Sequence, residues 1–174
     1  MLKIGQPIPK FELPGYNKGG IKNFKSSDYH GKWLVLFSYP ADFTFICPTE
    51  VKAFNEHYDK FQKLNADVVA LSVDSPESHQ KWVEQEWKEL SYPLLSDTDF
   101  KFVTDWNIET KDDDGKTVAL RATFIIDPDS ILKYYVVSDN NVGRSIDETL
   151  RVLEALQTGK LCPVEWQHGE KTLN

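Results

Sequence analysis

Two cysteines, Cys47 and Cys162, are the residues of this sequence best suited to nucleophilic or redox chemistry. They lie far apart, and two cysteines in 174 residues do not form the disulfide framework of a small secreted domain. In a reducing compartment such a pair is either inert or catalytic. The residues around Cys47 bear most directly on that choice.

Cys47 lies between an apolar run and the start of a helix, in the segment SYPADFTFICPTE (38–50). A helix N-terminus offers free N–H groups and a positive dipole end that favour a thiolate, and Pro48 fits the first helical turn. Thr44 precedes the cysteine by three residues, so its hydroxyl could donate to a thiolate or hold a bound oxygen. Pro40 stiffens the exit from the preceding strand and can shield the sulfur from water.

A cation that could compensate a Cys47 thiolate is absent from the surrounding sequence, because no Lys or Arg lies between Lys32 and Lys52. Arg121 is the only cation in the apolar run LRATFIID (120–127), and a charge in a buried strand needs a partner. We therefore hypothesise that Arg121 pairs with Cys47. These residues alone leave two interpretations open, since a lone cysteine among apolar neighbours is often a small core residue.

The elements that must position these residues indicate an α/β domain. Apolar, β-prone runs predict strands at 33–39, 66–74, 120–127 and 131–137, the last two joined as a hairpin. Apolar spacing and capping residues predict three helices: one after Cys47 with an apolar stripe from Val51 to Leu64, one starting at Ser75-Pro76, and one over 145–157. Alternating strands and helices predict a mixed central sheet flanked by helices.

Composition excludes several functions. A net charge of -7 argues against nucleic acid as a partner, and no apolar run approaches the roughly 18 residues of a membrane span. The N-terminus lacks the apolar core of a signal peptide, so we expect a cytoplasmic protein with no membrane partner. The four histidines have no metal-ligand spacing and are expected on the surface; they are His30, His57, His79 and His168.

Four segments resemble the peroxiredoxin family. Residues 38–50 have the pattern P-x-x-x-T-x-x-C of its active-site motif, and LRATFIID resembles the strand that carries its active-site arginine. NVGRSIDETLRVLEALQ resembles the segment with a second arginine, here Arg144, and GKLCPVEW matches the resolving-cysteine site of the typical two-cysteine class. The bacterial alkyl hydroperoxide reductase C subunit belongs to that class. The resemblance runs from about residue 4 to residue 166, nearly the whole chain.

The resemblance implies a thioredoxin-like fold over residues 1–160 and a C-terminal arm over 161–174. It also implies a thiol peroxidase that needs no metal, haem or flavin cofactor. Cys47 would be the peroxidatic nucleophile, while Thr44, Pro40 and Arg121 would complete the pocket that holds the peroxide.

The remaining implied roles concern support and recycling. Glu50 and Arg144 would form an ion pair that orients Arg121. Cys162 would be the resolving thiol, which forms a disulfide with Cys47 of a second subunit. The partners would be a peroxide substrate, a protein dithiol reductant such as thioredoxin or a flavin-dependent reductase, and further copies of the chain in a homodimer and a decamer.

Two alternatives stay open beside the peroxidase. A disulfide-exchange protein is disfavoured because such proteins usually carry C-x-x-C, whereas Glu50 stands three residues after Cys47. A ring-shaped chaperone or redox-signalling role could accompany peroxidase activity. The segment 90–107 lacks the glycine-rich insertion of family members that excess peroxide readily inactivates, and the tail lacks their Tyr-Phe helix. We therefore expect a comparatively robust enzyme.

Overall fold

The computed structural model describes residues 2–174, which divide into two compact units, 2–144 and 145–174. The predicted boundary between a thioredoxin-like domain over residues 1–160 and a C-terminal arm over 161–174, which carries Cys162, stays a prediction. Across the described part of the chain, no helix combines the length and the apolar character needed to cross a membrane.

The described part of the first unit contains nine strands: β1 (Glu12–Asn17), β2 (Gly20–Lys25), β3 (Trp33–Ser38), β4 (Ala66–Ser72), β5 (Leu94–Ser96), β6 (Glu109–Lys111), β7 (Thr117–Ala119), β8 (Arg121–Ile126) and β9 (Leu132–Ser138). Seven of them form one mixed sheet in the order β2-β1-β5-β4-β3-β8-β9. The neighbours β3, β4 and β5 run parallel, and the other pairs are antiparallel. β6 and β7 form a separate hairpin. The predicted mixed sheet is confirmed.

β3 is the strand that leads to the site, and it is buried on both faces as its apolar sequence predicts. Leu36 belongs to a core cluster that includes Trp106 and Phe124. The next residue, Phe37, stacks on Phe54 with ring centroids 4.0 Å apart. Burial on both faces fixes the strand, and therefore the loop that follows it.

The helices are α1 (Cys47–Glu56), α2 (Tyr58–Lys63), α3 (Pro76–Glu86), α4 (Lys101–Asp105) and α5 (Ile146–Thr158), with a 3₁₀ turn at Ser26–Tyr29. α2 packs against β4, and α3 packs against β1, β2 and β5. The predicted cap of α3 is confirmed, because the Ser75 hydroxyl accepts a hydrogen bond from the Ser78 N–H at 3.2 Å. Helix α5 also begins and ends within a residue of its prediction.

The prediction of one helix from Cys47 through the Val51–Leu64 stripe is wrong, because α1 ends at Glu56 and α2 begins at Tyr58. His57 leaves helical geometry with φ -98° and ψ 3°, and its Nδ1 lies 2.9 Å from the Ala53 carbonyl oxygen. The apolar stripe nevertheless continues across the break, since Phe54 and Phe61 are both buried. Apolar spacing therefore could not reveal the break.

Candidate active site

Cys47 is the first residue of α1, and its side chain is fully buried at one wall of a pocket of about 470 Å³. Pro40, Thr44 and Arg121 line the same pocket. The loop between β3 and α1 supplies the first two, and the first residue of β8 supplies the arginine. β3 pairs with β8 in the sheet, and this pairing brings the two segments together.

Arg121 lies against the sulfur of Cys47. Its side chain is only 4% exposed, and Nη1 donates to Cys47 Sγ at 3.4 Å and to Glu50 Oε2 at 2.7 Å. The guanidinium cannot lose its charge, so a fixed positive charge and an N–H group face the sulfur. The sulfur of Cys47 is therefore in direct contact with a buried cationic hydrogen-bond donor.

Glu50 lies one turn into α1 and bridges two arginines. Its Oε1 accepts from the backbone N–H and Nε of Arg144 at 3.0 and 2.9 Å, and its Oε2 accepts from Arg144 Nη2 at 3.0 Å. Arg144 also donates to the carbonyl oxygens of Ser38 and Ala122 at 2.6 and 2.7 Å. The predicted Glu50–Arg144 ion pair is therefore present, and it ties α1 to β3 and β8.

The electrostatics of Glu50 follow from these contacts. Burial alone would raise the pKa of its carboxyl group, but the hydrogen bonds and charge of Arg144, with a further contribution from Arg121, outweigh burial and lower the pKa. The carboxylate is thus ionised at neutral pH and balances part of the charge of the two guanidinium groups.

Thr44 and Pro40 form the outer part of the pocket. Thr44 is exposed, and its hydroxyl donates to the Ala41 carbonyl oxygen at 3.0 Å. The hydroxyl hydrogen of Thr44 is thus used in a hydrogen bond within the loop, while Thr44 Oγ1 can still accept a hydrogen bond. A donation from Thr44 to a ligand would require the hydroxyl to rotate. Pro40 is half-buried and closes one side of the pocket.

Cys162 lies in the second unit, after α5, and is half-buried. Its Sγ is 3.5 Å from Thr158 Oγ1 and 3.8 Å from the Ala155 carbonyl oxygen. Both cysteines are free thiols in this structure. The contacts of Cys162 thus lie at the last turn of α5, the helix that precedes it.

The expected surface position of His79 is wrong, because this side chain is fully buried on α3. Its Nδ1 lies 2.8 Å from Asp42 Oδ2, and its Nε2 lies 3.0 Å from the Leu95 carbonyl oxygen. Asp42 also accepts a hydrogen bond from the Tyr39 hydroxyl at 2.8 Å. The loop that carries Thr44 is therefore anchored to α3 through a buried polar network. Helical spacing contains the missed signal, since His79 precedes the buried Trp82 by three residues.

Asn140 is a second residue that sequence reasoning missed. It follows β9, and its side chain and its carbonyl oxygen both accept hydrogen bonds from Arg121. No apolar period or motif marks a turn residue of this kind. Across residues 2–174, no group of three or more His, Cys, Asp or Glu side chains is arranged to hold a metal ion.

Comparison with known proteins identifies relatives of the whole chain. Residues 4–135 match the AhpC/TSA family. A mitochondrial thioredoxin-dependent peroxide reductase of Drosophila melanogaster is 42% identical over 174 residues, which cover 95% of this chain and 73% of the relative.

Solved structures give the same result for the fold. A reduced 2-Cys peroxiredoxin of Plasmodium vivax matches with a TM-score of 0.88 and 31% identity, covering 97% of this chain and 91% of that one. AhpC of Enterococcus faecalis matches with a TM-score of 0.85 and 35% identity, covering 94% and 100%. These matches confirm the predicted thioredoxin-like fold.

Proposed function

Because the chain belongs to the AhpC/TSA family and is a thiol-dependent peroxidase of the peroxiredoxin type, we propose that Cys47 is its peroxidatic nucleophile. The observation that carries this proposal is the contact of 3.4 Å between Arg121 Nη1 and Cys47 Sγ at the first residue of a helix. A core cysteine would not require a buried cation beside its sulfur.

In the proposed reaction, the Cys47 thiolate attacks one oxygen of the peroxide, and an S–O bond forms as the O–O bond breaks. The electron pair of the O–O bond leaves with the second oxygen, which takes up a proton and departs as water or an alcohol. Cys47 becomes a sulfenic acid. Arg121 and Thr44 would stabilise the charge on the departing oxygen, an effect worth ~3 kcal/mol for one well-placed donor.

The substrates we propose are hydrogen peroxide and organic hydroperoxides. A pocket of about 470 Å³ is far larger than hydrogen peroxide needs, and Leu120 and Ile46 add apolar surface to its lining. Both features support hydroperoxides that carry an organic group. Glu50 and Arg144 act in this proposal as the support that keeps Arg121 in place.

We propose Cys162 as the resolving thiol. Its sulfur would attack the Cys47 sulfenic acid, expel water and form a disulfide between two subunits. A protein dithiol would then reduce this disulfide by thiol–disulfide exchange. Thioredoxin is our first candidate, since a relative that is 42% identical is described as thioredoxin-dependent, and a flavin-dependent reductase is the alternative. The cytoplasmic location stays a prediction.

The homodimer that this disulfide requires is supported by β9. β9 lies at one end of the sheet. Its first residue, Leu132, exchanges backbone hydrogen bonds with Gly5 and Gln6, and among the described residues no further strand of the sheet pairs with the outer edge beyond it. Tyr135, Val136 and Val137 are each about 40% exposed along it. An exposed apolar edge strand can pair with its own copy around a two-fold axis. A decamer of five such dimers stays a prediction.

A nonreducing gel tests the intersubunit disulfide. We expect one equivalent of hydrogen peroxide per chain to convert the wild-type monomer band to a disulfide-linked dimer, because both cysteines react within one turnover. Neither Cys47→Ser nor Cys162→Ser should form the doubly crosslinked dimer. A wild-type monomer that is oxidised but stays a monomer on this gel would contradict the assignment.

Resistance to overoxidation is a further expected property. The segment 90–107 lacks the glycine-rich insertion of readily inactivated family members, so local unwinding around Cys47 should compete well with a second oxidation. We expect the mass of the Cys47 peptide to show little sulfinic acid after turnover at low peroxide with reductant present. Rapid accumulation of sulfinic acid under those conditions would overturn this prediction.

A further inference from the structure

The turn that follows β9 places Asn140 beside the first residue of β8. Asp139 Oδ1 accepts from the Asn141 N–H at 2.8 Å, and the Val142 N–H donates to the Asp139 carbonyl oxygen at 3.2 Å. These bonds close the turn and fix the backbone on both sides of Asn140. Asn140 is half-buried and lines the pocket that contains Cys47.

Asn140 contacts Arg121 through two different groups. Its side-chain Oδ1 accepts from the backbone N–H of Arg121 at 3.2 Å, and its carbonyl oxygen accepts from Arg121 Nε at 2.9 Å. Glu50 holds the same guanidinium at Nη1. The planar group is thus fixed at two of its nitrogens, and its orientation against the sulfur of Cys47 depends on both supports.

We propose that Asn140 is a positioning residue that holds the Arg121 guanidinium in the orientation that contacts Cys47 Sγ. This role rests on the proposed peroxidase function. The side chain of Asn140 connects the turn to β8 by its hydrogen bond to the Arg121 backbone. This connection holds the Asn140 carbonyl oxygen in position to accept from Arg121 Nε. Without the side-chain bond, the carbonyl is held only by the turn, and the guanidinium can swing away from the sulfur.

The contact is not needed to join the strands. β8 and β9 already pair along their length, with Arg121 opposite Ser138, and the Ser138 hydroxyl donates to the Arg121 carbonyl oxygen at 3.4 Å. Removing the Asn140 side chain should therefore leave the fold and its thermal stability close to wild type. The effect should fall on catalysis.

The test compares kcat/KM for hydrogen peroxide in three single variants. We expect Asn140→Ala to lower kcat/KM about 10-fold, the effect of losing one hydrogen bond of ordinary strength at a transition state. Asn140→Asp retains an acceptor oxygen at the same place and should recover activity to within about threefold of wild type. Val142→Ala, an exposed position of the same turn, is the matched control and should equal wild type. An Asn140→Ala variant with wild-type kcat/KM overturns the proposal, as does an Asn140→Asp variant as slow as Asn140→Ala.

A double-mutant cycle separates positioning from a general structural effect. In an Arg121→Lys background the guanidinium is absent, so adding Asn140→Ala should lower kcat/KM by less than about twofold. A full tenfold loss in that background would mean that Asn140 acts independently of the guanidinium, contrary to the proposal. Peroxidase activity that persists in Cys47→Ser would instead refute the proposed nucleophile, a result separate from any outcome at Asn140.

Discussion

Replacing Cys47 with serine is expected to abolish peroxide reduction. The serine hydroxyl is not ionised near neutral pH and is a poor nucleophile toward a peroxide oxygen, even with Arg121 3.4 Å from the position of the sulfur. We expect the rate of peroxide consumption to fall by about 10⁴ or more, into the background of the uncatalysed reaction. The measurement is hydrogen peroxide loss with excess dithiothreitol as the reductant, at fixed protein concentration.

Cys162→Ser provides the comparison that isolates the first chemical step. This variant keeps the proposed nucleophile, so without any reductant it should consume about one equivalent of peroxide per chain and then stop. Cys47→Ser should consume none. Equal stoichiometric consumption by both variants would show that neither cysteine alone is the peroxidatic residue. Thermal unfolding of both proteins near the wild-type temperature would confirm that the serine substitutions leave the fold intact.

The strands that the sequence predicts are those in which apolar residues run continuously. β3 and β8 are buried along nearly their whole length, so their residue types alone indicate central strands. β5, β6 and β7 contain three residues each, which is too short for any period to show.

β1 was missed for a different reason, because it contains Pro14 and Gly15, which usually mark turns. Gly15 is required there because a Cβ atom would lie only 2.6 Å from the Leu94 carbonyl oxygen of the neighbouring strand. The glycine marks a close approach between strands, and no local pattern distinguishes that use from a turn.

Charge and expected burial in the sequence predict one part of the site, the need of Arg121 for an anionic partner. Arg121 is the single cation of a buried strand, and that fact alone called for an anionic partner, although the partners lie more than 70 residues earlier in the chain. The sequence does not show that Glu50 contacts both arginines, because this depends on the register between β3 and β8. Asn140 was unpredictable, since its contact with Arg121 depends on the geometry of one turn.

Glu50→Gln is expected to destabilise the protein strongly. The carboxylate is 2% exposed and binds Arg121 and Arg144 at 2.7 and 2.9 Å, so a neutral amide leaves two buried guanidinium groups without a counter-charge. Removing one partner of a buried ion pair typically costs about 3–5 kcal/mol. We expect a loss of this size in the free energy of unfolding, measured with urea at pH 7 and fixed protein concentration. Peroxidase activity should fall as well, because Arg121 Nη1 loses its anchor.

Glu56→Gln is the matched control, on the same helix and with the same chemical change. Its carboxylate is 58% exposed and lies 3.7 Å from Lys52, so the substitution should change the free energy of unfolding by at most about 0.5 kcal/mol. If the two variants lost the same small amount of stability, the buried carboxylate would not be the support that the geometry indicates.

The pH dependence of the Glu50→Gln effect follows from the lowered pKa of Glu50. Burial opposes ionisation, but Arg144 and then Arg121 outweigh it, so the folded-state pKa lies below the ordinary value of 4.5. When folding lowers the pKa of a carboxyl group, its ionised form stabilises the protein. This contribution is complete at a pH above the unfolded-state pKa, and it is lost as the pH falls through the folded-state pKa. Glutamine does not titrate. The stability difference between wild type and Glu50→Gln should therefore stay constant from pH 7 to about 5.5 and shrink as the pH falls below about 4. A difference that grew on acidification would contradict the ionised bridge between the two arginines.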